Sequence, residues 1–88
     1  MNFSGYKPST KLIKIYPNPS KGIFTIEAKN IQSYKITNIS GQVISTYYNS
    51  KSSNEYQHQV DLSNQSKGVY FIKISTKNGN TVKKLIYY

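Results

Sequence analysis

His58, Asp61 and Ser63 lie close together in this chain, and they are the residue types whose hydrogen-bonded relay activates a serine hydroxyl in hydrolases. Strand geometry opposes that reading. Residues three apart on a strand point to opposite faces, so Asp61 cannot orient the His58 imidazole. Glu27 and Glu55 offer the paired carboxylates of glycoside hydrolysis, yet both fall where exposed strand positions are expected. His58 is the single histidine and cysteine is absent, so neither a multi-histidine nor a thiolate metal site can form. The five glycines, Gly5, Gly22, Gly41, Gly68 and Gly79, are scattered at turns instead of forming a phosphate-cradling loop. These residues predict a protein that is not an enzyme and has no cofactor, with His58 a surface or cross-strand residue.

Charge and aromatic content narrow the partners. The formal charge is +9, from 12 basic residues against 3 acidic ones, and every base is a lysine. Nucleic-acid readers lean on the arginine fork for guanine and phosphate, so no nucleic-acid partner is expected. The lysines are spread along the chain, only Lys83 and Lys84 being adjacent, which reads as a solvated surface rather than a polyanion site. Nine tyrosines could form an exposed row that stacks on sugars, but tyrosine is also a good strand residue with an apolar ring for a core. No apolar run approaches the roughly 18 residues of a membrane span, so no membrane insertion is expected. Met1 to Pro8 lacks the apolar region of a signal peptide, so an exported protein would contain this chain as a piece.

The elements that position these residues read as strand after strand. The densest signal is Tyr16-Pro17-Asn18-Pro19-Ser20-Lys21-Gly22-Ile23-Phe24. Pro17 should end or edge a strand. Asn18 is placed to open a type I turn with Pro19 second, and Gly22 to take positive φ. Strands are predicted over 11–16, 23–28, 33–37, 43–48, around 56–60, over 69–75 and over 81–88. Phe24, Ile26 and Ala28 share one face, as do Tyr34 and Ile36, and Tyr70, Ile72 and Ile74. Asn38 to Gly41 reads as a type I turn, Asn49 to Asn54 as an exposed loop, and Asn78-Gly79 as a hairpin signal. About seven short strands without a capped helical stripe predict an all-β, immunoglobulin-like antiparallel β-sandwich, with a small closed barrel as the alternative. Residues 1–10 read as a flexible leader and 11–88 as the domain.

Two segments, taken together, resemble a known family. The first is the corner, Tyr16, Pro17, Asn18, Pro19, Gly22 and Phe24. The second comprises Val60-Asp61-Leu62-Ser63, Lys67-Gly68-Val69-Tyr70-Phe71-Ile72, Asn78-Gly79 and Val82-Lys83-Lys84-Leu85-Ile86. Their order and spacing resemble the type A C-terminal sorting domain of type IX secretion cargo in Bacteroidota, over about Ile13 to Tyr88. The resemblance implies an immunoglobulin-like sandwich that is not itself an enzyme. It implies an N-terminal cargo in the parent protein, passage through the periplasm to the cell surface or exterior, and partners in the outer-membrane shuttle and translocon. It also implies removal by a sortase-like protease. Strand addition to an exposed edge would let an exporter read one shape on many cargoes. Gly68, Tyr70, Lys83, Lys84, Leu85 and Ile86 are the recognition candidates, so truncating Leu85 to Tyr88 is expected to abolish export. The corner is expected to set the first bend, with recognition at the opposite end of the chain. A carbohydrate-binding or adhesion module is the rival reading.

Overall fold

The computed structural model describes residues 13–49, 57–77 and 79–88. The leader read over 1–10, Glu55, Tyr56, Asn78 and most of the predicted 49–54 loop lie outside the described residues. Seven strands form: β1 (Lys14–Tyr16), β2 (Ile23–Glu27), β3 (Ile31–Asn38), β4 (Val43–Tyr48), β5 (Gln57–Asp61), β6 (Gly68–Thr76) and β7 (Gly79–Tyr87). They make two antiparallel sheets, ordered β1-β2-β5 and β4-β3-β6-β7, in the immunoglobulin-like sandwich predicted from sequence. The fourth strand joins β3 rather than β5, so three strands face four.

Alternation puts one face of each strand inside. Phe24, Ile26 and Val60 of the three-stranded sheet meet Tyr34, Ile36, Tyr70, Ile72, Ile74, Leu85 and Tyr87 of the other in one buried cluster. Ile13, Ala28, Ile31 and Leu62 close its ends. In β7 the odd-numbered residues Thr81, Leu85 and Tyr87 face inward, and Val82 stands outside. β3 begins at Ile31, earlier than the predicted Ser33. Asn30 turns the chain at φ 59°, and a register shift between Ile31 and Ser33 brings Ile31 into the core. A second shift at Ile36/Thr37 leaves Ile44 opposite no β3 residue, so both Ile44 and Tyr47 pack on the core despite unlike parity.

The turns follow the sequence reading where it was local. Gly41 donates its N–H to the Asn38 carbonyl at 3.0 Å, and Asn38 Oδ1 accepts from Ser40 and Gln42. The β6–β7 hairpin closes on the pair Thr76 and Gly79, with Gly79 at φ 129°. Tyr70 does more than fill the core. Its hydroxyl donates to the Ser66 carbonyl just upstream, tying β6 to the loop before it as a tyrosine corner does in immunoglobulin-like domains.

Candidate recognition site

The corner and the last strand, distant in sequence, form one surface. The Asn18 side chain donates Nδ2 to the Lys84 carbonyl at 2.8 Å and accepts the Ile86 N–H on Oδ1 at 3.0 Å. Ser20 continues the pairing: its N–H donates to the Ile86 carbonyl at 2.8 Å, and its carbonyl accepts from Tyr88 at 2.9 Å. Ser20 and Tyr87 form a parallel bridge there. The corner therefore covers the C-terminal half of the β7 edge. Both proline bonds of the corner, Tyr16-Pro17 and Asn18-Pro19, are cis.

This corrects one expectation. Among the described residues no backbone hydrogen bond closes a type I turn from Asn18 to Lys21; the Asn18 amide spends both its donor and its acceptor on β7 instead. An unpaired edge offers a carbonyl and an N–H side by side, so one carboxamide satisfies two groups where a turn would satisfy one. Although the corner and the recognition candidates Lys84 and Ile86 lie at opposite ends of the chain, the fold docks one on the other. Replacing Asn18 with alanine should lower stability by about 1 kcal/mol, because both bonds are solvent-accessible. Amide exchange at Ile86 should quicken, measured by hydrogen–deuterium exchange.

The predicted residues divide by role. Gly22 is buried at φ 129°, and a Cβ there would stand 3.4 Å from the Tyr87 ring and 3.5 Å from Ser63 Cα. Its carbonyl accepts from Leu62 at 2.7 Å, so corner, β5 exit and β7 meet at this one position. Phe24 and Leu85 are fully buried and Tyr70 nearly so. Gly68 is exposed, with φ 148° and open space around its Cβ position, so its freedom serves the backbone. Lys84 is exposed, Ile86 half-buried beneath the corner, and Lys83 half-buried on the inward-facing parity of the edge strand. An inward charge on an edge opposes uncontrolled edge-to-edge pairing. Pro17, Pro19, Ser20, Lys21, Ile23 and Tyr88 line a shallow groove beside the corner.

Sequence reading missed Ser20 and Val82. Ser20 is buried and its hydroxyl bonds the Ile23 carbonyl, but nothing in the local pattern signals a bridge to β7. Val82 marks the uncovered part of the edge. The backbone groups of residues 84, 86 and 88 that bond the corner point away from β6, and the same alternation turns Asn80 and Val82 outward. Among the described residues nothing pairs with the backbone of Asn80 or Val82 on that side.

The catalytic candidates are dispersed. His58 is buried, excluding the surface alternative, and packs edge-on to Tyr47 (centroids 4.9 Å apart) and Tyr34 (6.1 Å) across the sandwich. Asp61 is exposed on the other face, where it accepts the Ser63 N–H at 2.9 Å. Glu27 accepts the Tyr16 hydroxyl and, at 2.6 Å, the Gln57 amide. Those bonds, the Tyr16 one foremost, and the Lys14 ammonium hold its carboxyl below the ordinary range, against a small opposing effect of burial. A carboxylate lowered on folding contributes stability above its unfolded pKa and loses it as pH falls through the folded value. The melting temperature should therefore drop on acidification through about pH 4. Glu27→Gln should flatten part of that drop; among the described acids Asp61 also contributes, lowered chiefly by its Ser63 hydrogen bonds.

Among the described residues the tyrosines form no planar row. Among those described, Tyr34, Tyr70 and Tyr87 are buried, while the exposed Tyr16, Tyr48 and Tyr88 stand on β1, β4 and the end of β7.

The site is thus part of a small immunoglobulin-like sandwich whose edge strand β7 is partly capped by the corner. The chain belongs to the secretion system C-terminal sorting domain family, whose model matches residues 14–88. Domains of this family are type IX secretion sorting signals, which direct proteins to the cell surface or the exterior. A search of the curated proteins finds no match.

Proposed function

We propose that this domain carries a cargo fused ahead of it across the outer membrane of a Bacteroidota cell, and that the shuttle and translocon read the β6–β7 hairpin at its free edge. A sortase-like protease then removes the domain, leaving the cargo at the surface or in the medium. The observation that carries the reading is the state of β7. It is an edge strand whose C-terminal half is capped by the corner, while the backbone of Asn80 and Val82 faces outward unpaired among the described residues. β6 lies between β3 and β7, so Gly68 and Tyr70 support the edge from behind. Lys84 is the recognition candidate whose side chain stands free beside it.

The test is a periplasm-directed reporter fused ahead of the chain in a type IX-competent host. The expected result is reporter outside the cell, shortened by the mass of the domain. Reporter retained in the periplasm would overturn the export reading. Reporter outside but at full length would overturn only the cleavage.

A further inference from the structure

The outer face of the four-stranded sheet gathers charge that the sequence shows as scattered. Register places Lys35 of β3 directly opposite Lys73 of β6, and Lys84 of β7 lies opposite Phe71, diagonal to Lys73. Directly opposed strand residues have Cβ atoms about 4.5–5.5 Å apart, and like charges so placed are destabilising. Both described acids, Glu27 and Asp61, belong to the three-stranded sheet, so no described acid on this face relieves the pair. Next to the lysines runs a row of neutral hydrogen-bonding groups. Tyr48 lies opposite Ser33, Ser33 opposite Ser75, and Ser75 opposite Asn80. Ser33 and Ser75 are half-buried, forming the floor of a hollow walled by Lys35, Lys73 and Tyr48, a residue that is 74% exposed.

We infer that this face is a docking surface for an acidic polysaccharide, with Lys35 and Lys73 pairing with its carboxylates and Tyr48 stacking on a sugar ring beside hydroxyl-bonding Ser33 and Ser75. Charge complementarity selects an anion. The serine, tyrosine and asparagine row selects sugar hydroxyls, for which a bilayer surface or a nucleic-acid backbone has less use. The absence of arginine also argues against phosphate-backbone readers. The surface centres on β3 and β6, meets the β7 edge only at Asn80 and Lys84, and does not rest on the export reading.

The test uses the chain with polygalacturonate as probe, dextran as the neutral control, and oligothymidylate and phosphatidylglycerol vesicles as competing anions. Polygalacturonate should bind with an affinity that falls with salt, and dextran should not bind. Lys35→Gln with Lys73→Gln should weaken binding about tenfold or more, and Tyr48→Ala should weaken it further. Lys14→Gln with Lys67→Gln, the same charge change elsewhere, should leave it near wild type. Relief of the opposed pair should raise the melting temperature of the Lys35/Lys73 variant, which separates lost binding from lost fold. Absent binding, equal loss from the Lys14/Lys67 variant, or equal affinity for oligothymidylate or vesicles would each overturn the proposal. Because Lys35 and Lys73 lie on β3 and β6 and not on the β7 edge, a reporter carrying Lys35→Gln and Lys73→Gln should still be exported.

Discussion

Proline at position 82 should stop export of a fused reporter while the sandwich stays folded. Val82 lies on the outward parity of β7, the parity whose backbone groups at 84, 86 and 88 bond the corner rather than β6. Its N–H therefore contributes nothing to the β6 ladder, and an edge strand accepts proline at such a position. The side chain is 60% exposed, so no core contact is lost. What disappears is the donor that an incoming strand would need, and the ring obstructs its approach. The expected outcome is a melting temperature within a few degrees of wild type, near the scatter of surface substitutions, with reporter confined to the periplasm. Thr81→Pro is the contrast: Thr81 is buried, faces Ile74 and uses its N–H in the ladder, so that variant should unfold. Normal export of a folded Val82→Pro protein would show that the edge is not what the machinery reads.

Leu85→Ala should cause a large loss of stability. Leu85 is completely buried, paired with Tyr70 on β6 and set in the cluster that joins the two sheets. Truncating a leucine in such a place costs about 2–5 kcal/mol, because the lost transfer free energy is compounded by the cavity left behind. A domain of this length has a total stability of only about 4–13 kcal/mol, with no disulfide to reinforce it. Urea unfolding should show a midpoint lowered in proportion, at unchanged slope. Export should fall with it, through loss of the folded shape rather than loss of a contact. Truncation of Leu85 to Tyr88 acts through the same packing. That cut removes two buried side chains and the strand the corner docks on, so it abolishes the fold along with any signal. Val82→Pro and Leu85→Ala together separate the two causes: the first should lose export at constant stability, the second should lose both. A Leu85→Ala protein as stable as wild type would contradict the packing of β7 described above.

The residues that proved legible in the sequence are those whose role is local. Phe24, Ile26, Tyr70, Ile72 and Ile74 were readable as core because strand alternation sends every second side chain to one face. Asn38 and Gly41 were readable as a turn because their hydrogen bonds close within a few residues. The positive φ of Gly22 followed from its place at a bend, though the closeness of the Tyr87 ring did not. Tyr70 was placed correctly in the core, but its hydroxyl's tie to Ser66 depends on the loop folding back, which alternation does not report. The bulge that brings Ile44 and Tyr47 inward together broke the alternation rule itself, since an extra residue shifts the parity of everything after it.

By itself, the sequence determined the seven strands, the Asn38 to Gly41 turn, the inward faces of most strands and the family, because each is written in short-range periodicity, turn chemistry or motif spacing. Only the tertiary structure decided that β4 joins the β3 edge, that Asn18 clamps Lys84 and Ile86, that His58 packs edge-on against the stacked Tyr34 and Tyr47, and that Lys35 faces Lys73. Each of these is a pairing between segments that local pattern leaves independent. Strand order and register are fixed by burying all the apolar faces at once, and no single segment carries the information for that.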